Sequence, residues 1–325
     1  MSPAPSPSFT TTDATGRDAT GPDPTAAGTT PTADRPRRSV LYVPASNARA
    51  MAKAPTLGAD AIVYDLEDAV APSARPAARA ALVDALAAGA GSPFERIVRI
   101  NSRASDDFEA DLDAVARGRP DAVLLPKVES EDDLVQFAEA GARIGVAATT
   151  SLWAMIETAG ALLALDAIAR TGRGLTPRLD VFVVGTNDIA KETGVHPGES
   201  RRYLMPWLMQ VVLVARRHRL TVLDGVWNDF GDTEGFETEA RQSVRMAFDG
   251  KTLIHPGQVA PANRLFSPDP AALADAGRIV AAFARPEHQG ANVINLDGRM
   301  VERLHFEQAQ RLLARQALIV ARTRA

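Results

Sequence analysis

Short apolar runs recur along the chain from residue 39 onward, and each is followed by a polar cluster and a segment with helical periodicity. Most runs are continuously apolar and rich in β-branched residues, which is typical of strands buried on both faces of a parallel sheet. The eight runs cover residues 39–44, 61–65, 96–101, 122–127, 152–157, 181–185, 221–227 and 251–255. Eight strands alternating with helices predict an α/β fold, a (β/α)8 TIM barrel.

Polar residues mark the ends of several predicted helices. Ser130 precedes an acidic first turn and Gly141 ends that helix, as N-caps and C-terminal glycines commonly do. Ser200 precedes a helix that ends in basic residues, and Asp232 precedes one that stops near Gly250. An open doubly wound sheet is the competing interpretation. However, no GxGxxG follows the first strand and no GxxxxGK[ST] occurs, so nothing directly supports a dinucleotide-binding or P-loop fold.

The predicted organisation has three parts. Residues 1–36 are rich in Pro, Thr, Ala, Ser and Gly and predict a disordered tail, with no apolar segment of the kind found in secretory signals. Residues 37–260 form the catalytic barrel. Residues 261–325 form a helical extension, with a helix over 270–283, a linking segment and a long helix over about 301–321. Because a barrel does not need this extension, we expect it to cover a site or a neighbouring subunit.

Composition excludes several classes of function. The 36 basic and 40 acidic residues give a formal charge of -4, which argues against a general nucleic-acid binder. The absence of cysteine excludes disulfides, thiolate metal sites and cysteine nucleophiles, and the five histidines are too scattered to favour zinc. No apolar run approaches the length of about 18 residues that a transmembrane helix requires. These features predict a cytoplasmic enzyme that binds neither nucleic acid nor membranes.

Charged and polar side chains follow most of the predicted strands. In a TIM barrel these positions form the active site, since the C-terminal ends of all strands meet at one mouth. Five carboxylate-bearing ends around one mouth would repel one another, and a hard divalent cation, Mg²⁺ or Mn²⁺, would relieve that repulsion. The residues at these ends are Asp65, Glu67, Asp68, Arg99, Asn101, Lys127, Glu129, Glu157, Asn187, Asp188, Asn228, Asp229 and His255.

Structural roles compete with functional ones at each position. An acidic residue after a strand can cap the next helix, and Asp188 is open to that interpretation. Arg99 could form an ion pair within the barrel, Lys127 could bind either a carboxylate or the substrate, and His255 could hydrogen-bond its own loop. Glu157 is harder to explain as a cap, because Thr158 directly after it is itself a good one. A carboxylate pointing into the mouth there needs a partner.

Motifs in nearly every unit carry a family resemblance. The chain resembles the citrate lyase β-subunit-like and malyl-CoA lyase-like proteins of the HpcH/HpaI aldolase superfamily over about residues 37–315. The resemblance rests on RRSVLYVPASNARAMAKAPTLGADAIVYDLEDAVAP, VRIN, LLPKVES, MIET, GTNDIA, FDGKTLIHPGQV and INLDGRMVERLHFEQAQRLL. Each motif is weak alone, whereas DLEDAV, IHPGQ and LDGRMVE in this order and spacing are jointly specific.

The resemblance implies a Mg²⁺-dependent carbon–carbon lyase that acts on acyl-CoA thioesters. It places the metal on Glu157 of MIET and Asp188 of GTNDIA, and it assigns substrate contact to Arg99 of VRIN. Glu67 and Asp68 of DLEDAV would lie near the metal-bound waters. Many family members have lysine where this chain has Arg75, and the loop after GTNDIAKE is longer and rich in arginine.

The resemblance further implies that Asp297 of LDGRM enters the active site of a neighbouring subunit, in a homotrimer or hexamer. The expected reaction cleaves a 3-hydroxyacyl-CoA, such as citramalyl-CoA or malyl-CoA, to acetyl-CoA and a 2-keto acid, or forms it from them. Arg99 would stabilise the thioester enolate, and Asp297 would exchange a proton with it. No Schiff base is needed, so Lys127 is expected to bind substrate rather than act as a nucleophile.

Four alternatives to this reaction remain open. They are a citrate lyase β-subunit that acts on an acyl-carrier-protein thioester, a malyl-CoA thioesterase, an aldolase of free keto-acid aldols, and a catalytically silent CoA-binding protein. The sequence does not decide which acyl-CoA is used, its stereochemistry, the physiological direction, or trimer against hexamer.

Overall fold

Eight parallel strands close into one barrel in the computed structural model, which describes residues 35–324. The predicted tail therefore lies outside the described residues except for its last two positions. Each strand pairs with the next one along the chain, and the first pairs with the eighth. The strands are β1 (Ser39–Pro44), β2 (Ala61–Asp65), β3 (Glu95–Arg99), β4 (Ala122–Leu125), β5 (Ser151–Ile156), β6 (Leu179–Val184), β7 (Thr221–Asp224) and β8 (Gly250–Leu253).

Helices connect the strands and complete the barrel, so the predicted TIM-barrel fold is confirmed. Seven of them are α1 (Ala48–Lys53), α2 (Arg75–Ala88), α3 (Phe108–Gly118), α4 (Glu131–Ile144), α5 (Ala159–Gly172), α6 (Thr186–Thr193) and α7 (Met205–Arg217). The rest are α8 (Thr233–Arg245), α9 (Val259–Leu265), α10 (Pro270–Phe283) and α11 (Arg303–Arg324). No helix in this described part of the chain is both long enough and apolar enough to cross a membrane.

The barrel has two apolar layers because successive strand residues point to opposite faces. Inward-facing side chains such as Val63, Ile97 and Trp153 fill the barrel interior. Outward-facing side chains such as Leu41, Val98 and Phe182 pack against the helices. This double burial explains why the strands appear in the sequence as continuous apolar runs.

Two predicted helix boundaries are wrong. Helix α4 continues through Gly141 and ends at Gly145, whose φ of +98° is accessible to glycine. Helix α7 begins at Met205 rather than directly after Ser200. The reason is Pro206, which lacks an N–H and therefore fits only the first turn of a helix. Thr158 and Asp232 cap α5 and α8 as expected.

The C-terminal extension has a small core of its own. Helices α10 and α11 pack together around a hairpin of β9 (Val293–Leu296) and β10 (Arg299–Glu302), with Ile294 and Val301 buried between them. The far half of α11 crosses the N-terminal end of the barrel, where Arg315 donates to the carbonyl oxygens of Asp249 and Phe266. A helical extension is thereby confirmed, and a domain boundary at residue 260 stays a prediction.

Candidate active site

A cavity of about 390 Å³ opens at the C-terminal end of the barrel strands. Its charged and amide lining comes from the ends of β2, β3 and β7 and from the first turn of α6. The charged and amide residues in that lining are Asp65, Asp68, Arg99, Asn187, Asp188 and Asn228. The structure therefore places six of the thirteen predicted strand-end residues in the lining of one mouth, where barrel geometry brings the strand ends together.

Arg99 at the end of β3 is held by a pair of carboxylates. Its Nε and Nη2 donate to the two carboxylate oxygens of Asp65 at 2.7 and 2.5 Å, and its Nη1 lies 2.8 Å from Glu67 Oε2. The guanidinium also lies over the ring of Tyr42, 5.0 Å from its centroid. Although burial alone would lower the pKa of Arg99, the hydrogen bonds to Asp65 and the nearby charges raise it well above its ordinary value. The side chain is a fixed cation.

Lys127 bridges the two halves of the mouth. Its Nζ contacts Glu67 Oε1 and lies 3.8 Å from Asp68 Oδ1. Its backbone has a φ of +52°, and its N–H donates to Glu157 Oε1 at 2.7 Å. Of the two roles considered for Lys127, the structure shows carboxylate binding, and substrate contact stays a prediction.

The carboxylates after β2 are therefore compensated by the protein itself. Asp65 and Glu67 are paired with Arg99 and Lys127, and the half-exposed Asp68 lies within 4 Å of both cations. The expected repulsion among five strand ends does not exist on this side of the mouth. A cation is needed only where carboxylates lack such partners.

Glu157 has an uncompensated carboxylate. The side chain follows β5 and is almost fully buried, with 2% of its surface exposed. Burial raises the pKa of Glu157 to about 7, and the negative charges of Glu67 and Asp188 add to that effect, while the N–H of Lys127 opposes it. A Cβ on Gly185 would lie 2.5 Å from the Glu157 Cβ and 2.7 Å from its Oε2. Only glycine therefore leaves room for this carboxylate.

Asp188 lies in the first turn of α6, next to Gly185 at the helix N-cap. It lines the mouth cavity, and its negative charge contributes to the raised pKa of Glu157. It has no ion-pair partner among residues 35–324. Asp188 is close enough to Glu157 for its charge to raise that pKa, and Arg99 opposes the effect from a distance. Neither carboxylate forms an ion pair with a basic side chain in this described part of the chain.

This pair of oxygen donors fits a hard divalent cation. Nowhere in residues 35–324 do three or more histidine, aspartate or glutamate side chains come close enough to form a metal site by themselves. Two carboxylates would leave most of an octahedral shell to water and substrate, which is how Mg²⁺ is usually bound. Glu157 and Asp188 are therefore the residues that would hold the ion.

The remaining predicted residues lie at the rim or away from it. His255 Nδ1 accepts from the Gly257 N–H at 3.1 Å, and its ring stacks on Phe230 at 5.1 Å, so the loop role is realised and substrate contact stays a prediction. Asp297 occupies the β9–β10 turn with a φ of +52°. It pairs with Arg278 at 3.0 Å and does not line the mouth of its own chain.

Two residues position Arg99 in ways that the sequence does not specify. Asp65, one of the predicted strand-end residues, is the barrel carboxylate that fixes the Arg99 guanidinium. Tyr42 lies two positions after the inward-facing Val40 on β1, so the strand period already indicates that its ring faces the barrel interior. Its hydroxyl is buried and has no hydrogen-bond partner among the residues that the structure describes, and burial raises the pKa of Tyr42. Asn187 and Asn228 also form a reciprocal amide pair across the mouth.

Comparison with known proteins agrees with this architecture. The model of the HpcH/HpaI aldolase/citrate lyase family matches residues 38–256. The chain is 44% identical over 286 residues to a (3S)-malyl-CoA thioesterase of Cereibacter sphaeroides, covering 88% of this chain and 96% of that protein. It is 31% identical over 287 residues to the mitochondrial citramalyl-CoA lyase of Homo sapiens, covering 85% and 84%.

A solved structure is also similar. The protein CitE from Mycobacterium tuberculosis, in complex with magnesium, acetoacetate and coenzyme A, superposes with a TM-score of 0.68. The two sequences are 29% identical, and the match covers 86% of this chain and 97% of that one.

Proposed function

Because the chain belongs to the HpcH/HpaI aldolase/citrate lyase family of enzymes, we propose that it is a Mg²⁺-dependent enzyme acting on a malyl-CoA-type thioester. We further propose that its principal reaction is hydrolysis to the free hydroxy acid and CoA. The observation that carries this choice is the 44% identity over 96% of a (3S)-malyl-CoA thioesterase. Carbon–carbon cleavage, which the sequence motifs favoured, is the second candidate.

The substrate class follows from the two kinds of charge at the mouth. A malyl thioester carries a carboxylate and a hydroxyl on adjacent carbons, and these are the oxygen ligands that Mg²⁺ accepts. Held by Glu157 and Asp188, the ion would supply Lewis-acid and templating chemistry at the hydroxy-acid end. Arg99, on the other side of the cavity, would then face the thioester carbonyl.

Hydrolysis needs an oxyanion donor and a base. Arg99 has five N–H groups, and Asp65 accepts from two of them, one on Nε and one on Nη2, so N–H groups remain on both terminal nitrogens for the carbonyl oxygen. A hydrogen bond that strengthens as the tetrahedral oxyanion forms lowers the activation free energy by roughly 3 kcal/mol. Burial raises the pKa of Glu67, which makes it a better proton acceptor for the attacking water than an exposed glutamate. The C–S bond then breaks, and the CoA thiolate leaves and takes up a proton.

Carbon–carbon cleavage is favoured by the match to citramalyl-CoA lyase. In that reaction the hydroxyl loses its proton, the bond between the second and third carbons breaks, and a thioester enolate forms beside Arg99. The enolate carbon then needs a proton. Asp297 is the proposed donor, and because it lies outside its own mouth, it would have to come from a second copy of the chain. We accordingly propose a homo-oligomer.

Product analysis tests the choice. Purified protein is incubated with malyl-CoA and Mg²⁺, and free thiol, malate, glyoxylate and acetyl-CoA are quantified. Hydrolysis gives equal amounts of thiol and malate with no glyoxylate, whereas cleavage gives equal glyoxylate and acetyl-CoA with no thiol. A second assay with citramalyl-CoA and citryl-CoA defines the acyl group. Turnover of free CoA thioesters would argue against a citrate lyase β-subunit that depends on an acyl carrier.

Two controls define the metal and the site. EDTA should abolish turnover, and added Mg²⁺ or Mn²⁺ should restore it. The variant E157Q keeps the size of the side chain and removes its charge, so it should lose both metal binding and activity. Full turnover in EDTA would contradict the proposed function.

A further inference from the structure

A second cavity, of about 290 Å³, lies at the opposite end of the barrel from the mouth. One wall is a face of α11, because Arg311, Ala314, Arg315 and Leu318 recur at helical spacing. The other wall comes from the chain that leads into β1, from Thr221 at the start of β7 and from Asp249 before β8. We call this space the basal cavity. No residue in it belongs to the catalytic mouth.

The basal cavity is lined by four arginines and one aspartate, so its charge is unbalanced. Asp249 is already neutralised, since its two oxygens accept from Arg216 Nη1 and Nη2 at 3.0 Å each. Arg37 is likewise neutralised, because its Nε and Nη2 donate to Glu95 at 2.6 and 2.8 Å. The excess charge therefore comes from the other three arginines.

Those three arginines have weak partners or no carboxylate partner. Arg35 Nη1 is 3.8 Å from Asp121, whose Oδ2 already accepts from the Arg96 N–H and Nε. Arg311 Nη2 is 3.8 Å from Glu307 on the exposed surface of the same helix. Exposed pairs at such distances contribute little.

Arg315 has no carboxylate within ion-pair distance among residues 35–324. Its Nη2 donates to two carbonyl oxygens, which leaves the other N–H groups of the guanidinium without an acceptor there. Burial lowers the pKa of Arg315, and the charges of Arg216 and Arg38 add to that effect, while the negative charges of Asp249 and Asp60 oppose it without cancelling it. The side chain is a mostly buried cation in the lining of this cavity, and the one carboxylate there, Asp249, is already paired with Arg216.

Helix α11 would be more stable if this charge were compensated. Arg311 and Arg315 are four residues apart on one helix face, and like charges at that spacing destabilise a helix. A tetrahedral dianion matches the planar donor arrangement of several guanidinium groups. We propose that the basal cavity is a binding site for a phosphate group, held by Arg35, Arg311 and Arg315. The bound anion would fasten the C-terminal helix to the base of the barrel.

Titration calorimetry with inorganic phosphate tests the site. It is performed at constant ionic strength without Mg²⁺, with malate as a dicarboxylate comparison. We expect one phosphate per chain, and malate should bind more weakly. The variant R311Q should weaken phosphate binding about tenfold, as expected for one charge-assisted contact. R303Q makes the same change at the start of α11, away from the cavity, and should leave binding unchanged.

A thermal measurement separates this site from the mouth. Phosphate at ten times its dissociation constant should raise the unfolding midpoint of the wild-type protein by about 2–4 °C. The shift should shrink in R311Q and persist in E157Q, whose defect is at the opposite end of the barrel. Arg311 is mostly exposed, so R311Q is expected to fold. No phosphate binding, or binding that R311Q does not weaken, would overturn the proposal without affecting the proposed enzyme activity.

Discussion

Replacing Glu157 with glutamine should stabilise the metal-free enzyme while destroying its function. The carboxylate is buried, and its pKa is raised to about 7 from an ordinary value of 4.5. A glutamate with a raised pKa binds its proton more tightly in the folded state, so wild-type stability falls as pH rises from about 4.5 through 7. The difference corresponds to about 3 kcal/mol at 1.36 kcal/mol per pKa unit. Glutamine has no charge to bury and avoids that cost.

The assay is thermal unfolding of wild type and E157Q in EDTA at pH 5 and pH 8. At pH 8 the variant should unfold roughly 5 °C higher, and at pH 5 the two proteins should be nearly equal. Mg²⁺ at pH 8 should raise the midpoint of the wild type and leave E157Q unchanged. The control E129Q makes the same change at an exposed rim position and should show no pH-dependent gain.

Two results would refute this reasoning. One is a metal-free E157Q that is less stable than wild type at pH 8, which would mean that the carboxylate is already compensated by the protein. The other is an equal Mg²⁺ stabilisation of both proteins, which would place the metal elsewhere.

Other changes at the site have equally specific outcomes. Gly185→Ala should push Glu157 aside and weaken Mg²⁺ binding at least tenfold by calorimetry, whereas Gly277→Ala, where a Cβ meets nothing within 4 Å, should not. Asp65→Asn should lower kcat/KM roughly 10–100-fold and leave Mg²⁺ affinity nearly intact, since it releases the arginine and not the metal ligands. Mg²⁺ affinity of the wild type should fall about tenfold per pH unit below about 7, because the proton on Glu157 competes with the ion. Asp297→Asn should abolish any glyoxylate release and spare thiol release, and mixing it with E157Q should restore cleavage only if the aspartate acts between subunits.

The fold was predictable because its signal is spread over the whole chain. Every βα unit repeats the same pattern of a doubly buried strand and an amphipathic helix, so one misplaced boundary does not change the topology. The strand ends were less predictable. Lys127 was expected to end its strand, yet the strand stops at Leu125 and Lys127 adopts a positive φ. That conformation depends on the contacts of Lys127 with Glu67 and Glu157, which are distant in sequence.

The sequence predicted which residues gather at the candidate site, but it did not predict which of them form ion pairs with one another. The sequence places acidic and basic side chains at one end of the barrel, because all parallel strands end there. It does not say which carboxylate each cation chooses. Arg99 pairs with Asp65, and this choice depends on the register between β2 and β3, in which the two residues are direct neighbours.

These pairings make the mouth asymmetric, and the same asymmetry is compatible with both of the proposed reactions. The side formed by β2, β3 and β4 is neutralised by Arg99 and Lys127, whereas the side formed by β5 and α6 keeps the bare carboxylates of Glu157 and Asp188. A divalent cation and the hydroxy-acid end of the substrate would therefore occupy the second side. The thioester carbonyl would then lie against Arg99 in either reaction. Hydrolysis adds water to the thioester carbonyl and breaks the C–S bond, whereas cleavage breaks the bond between the second and third carbons and protonates the enolate. The products, rather than the binding geometry, therefore distinguish the two reactions.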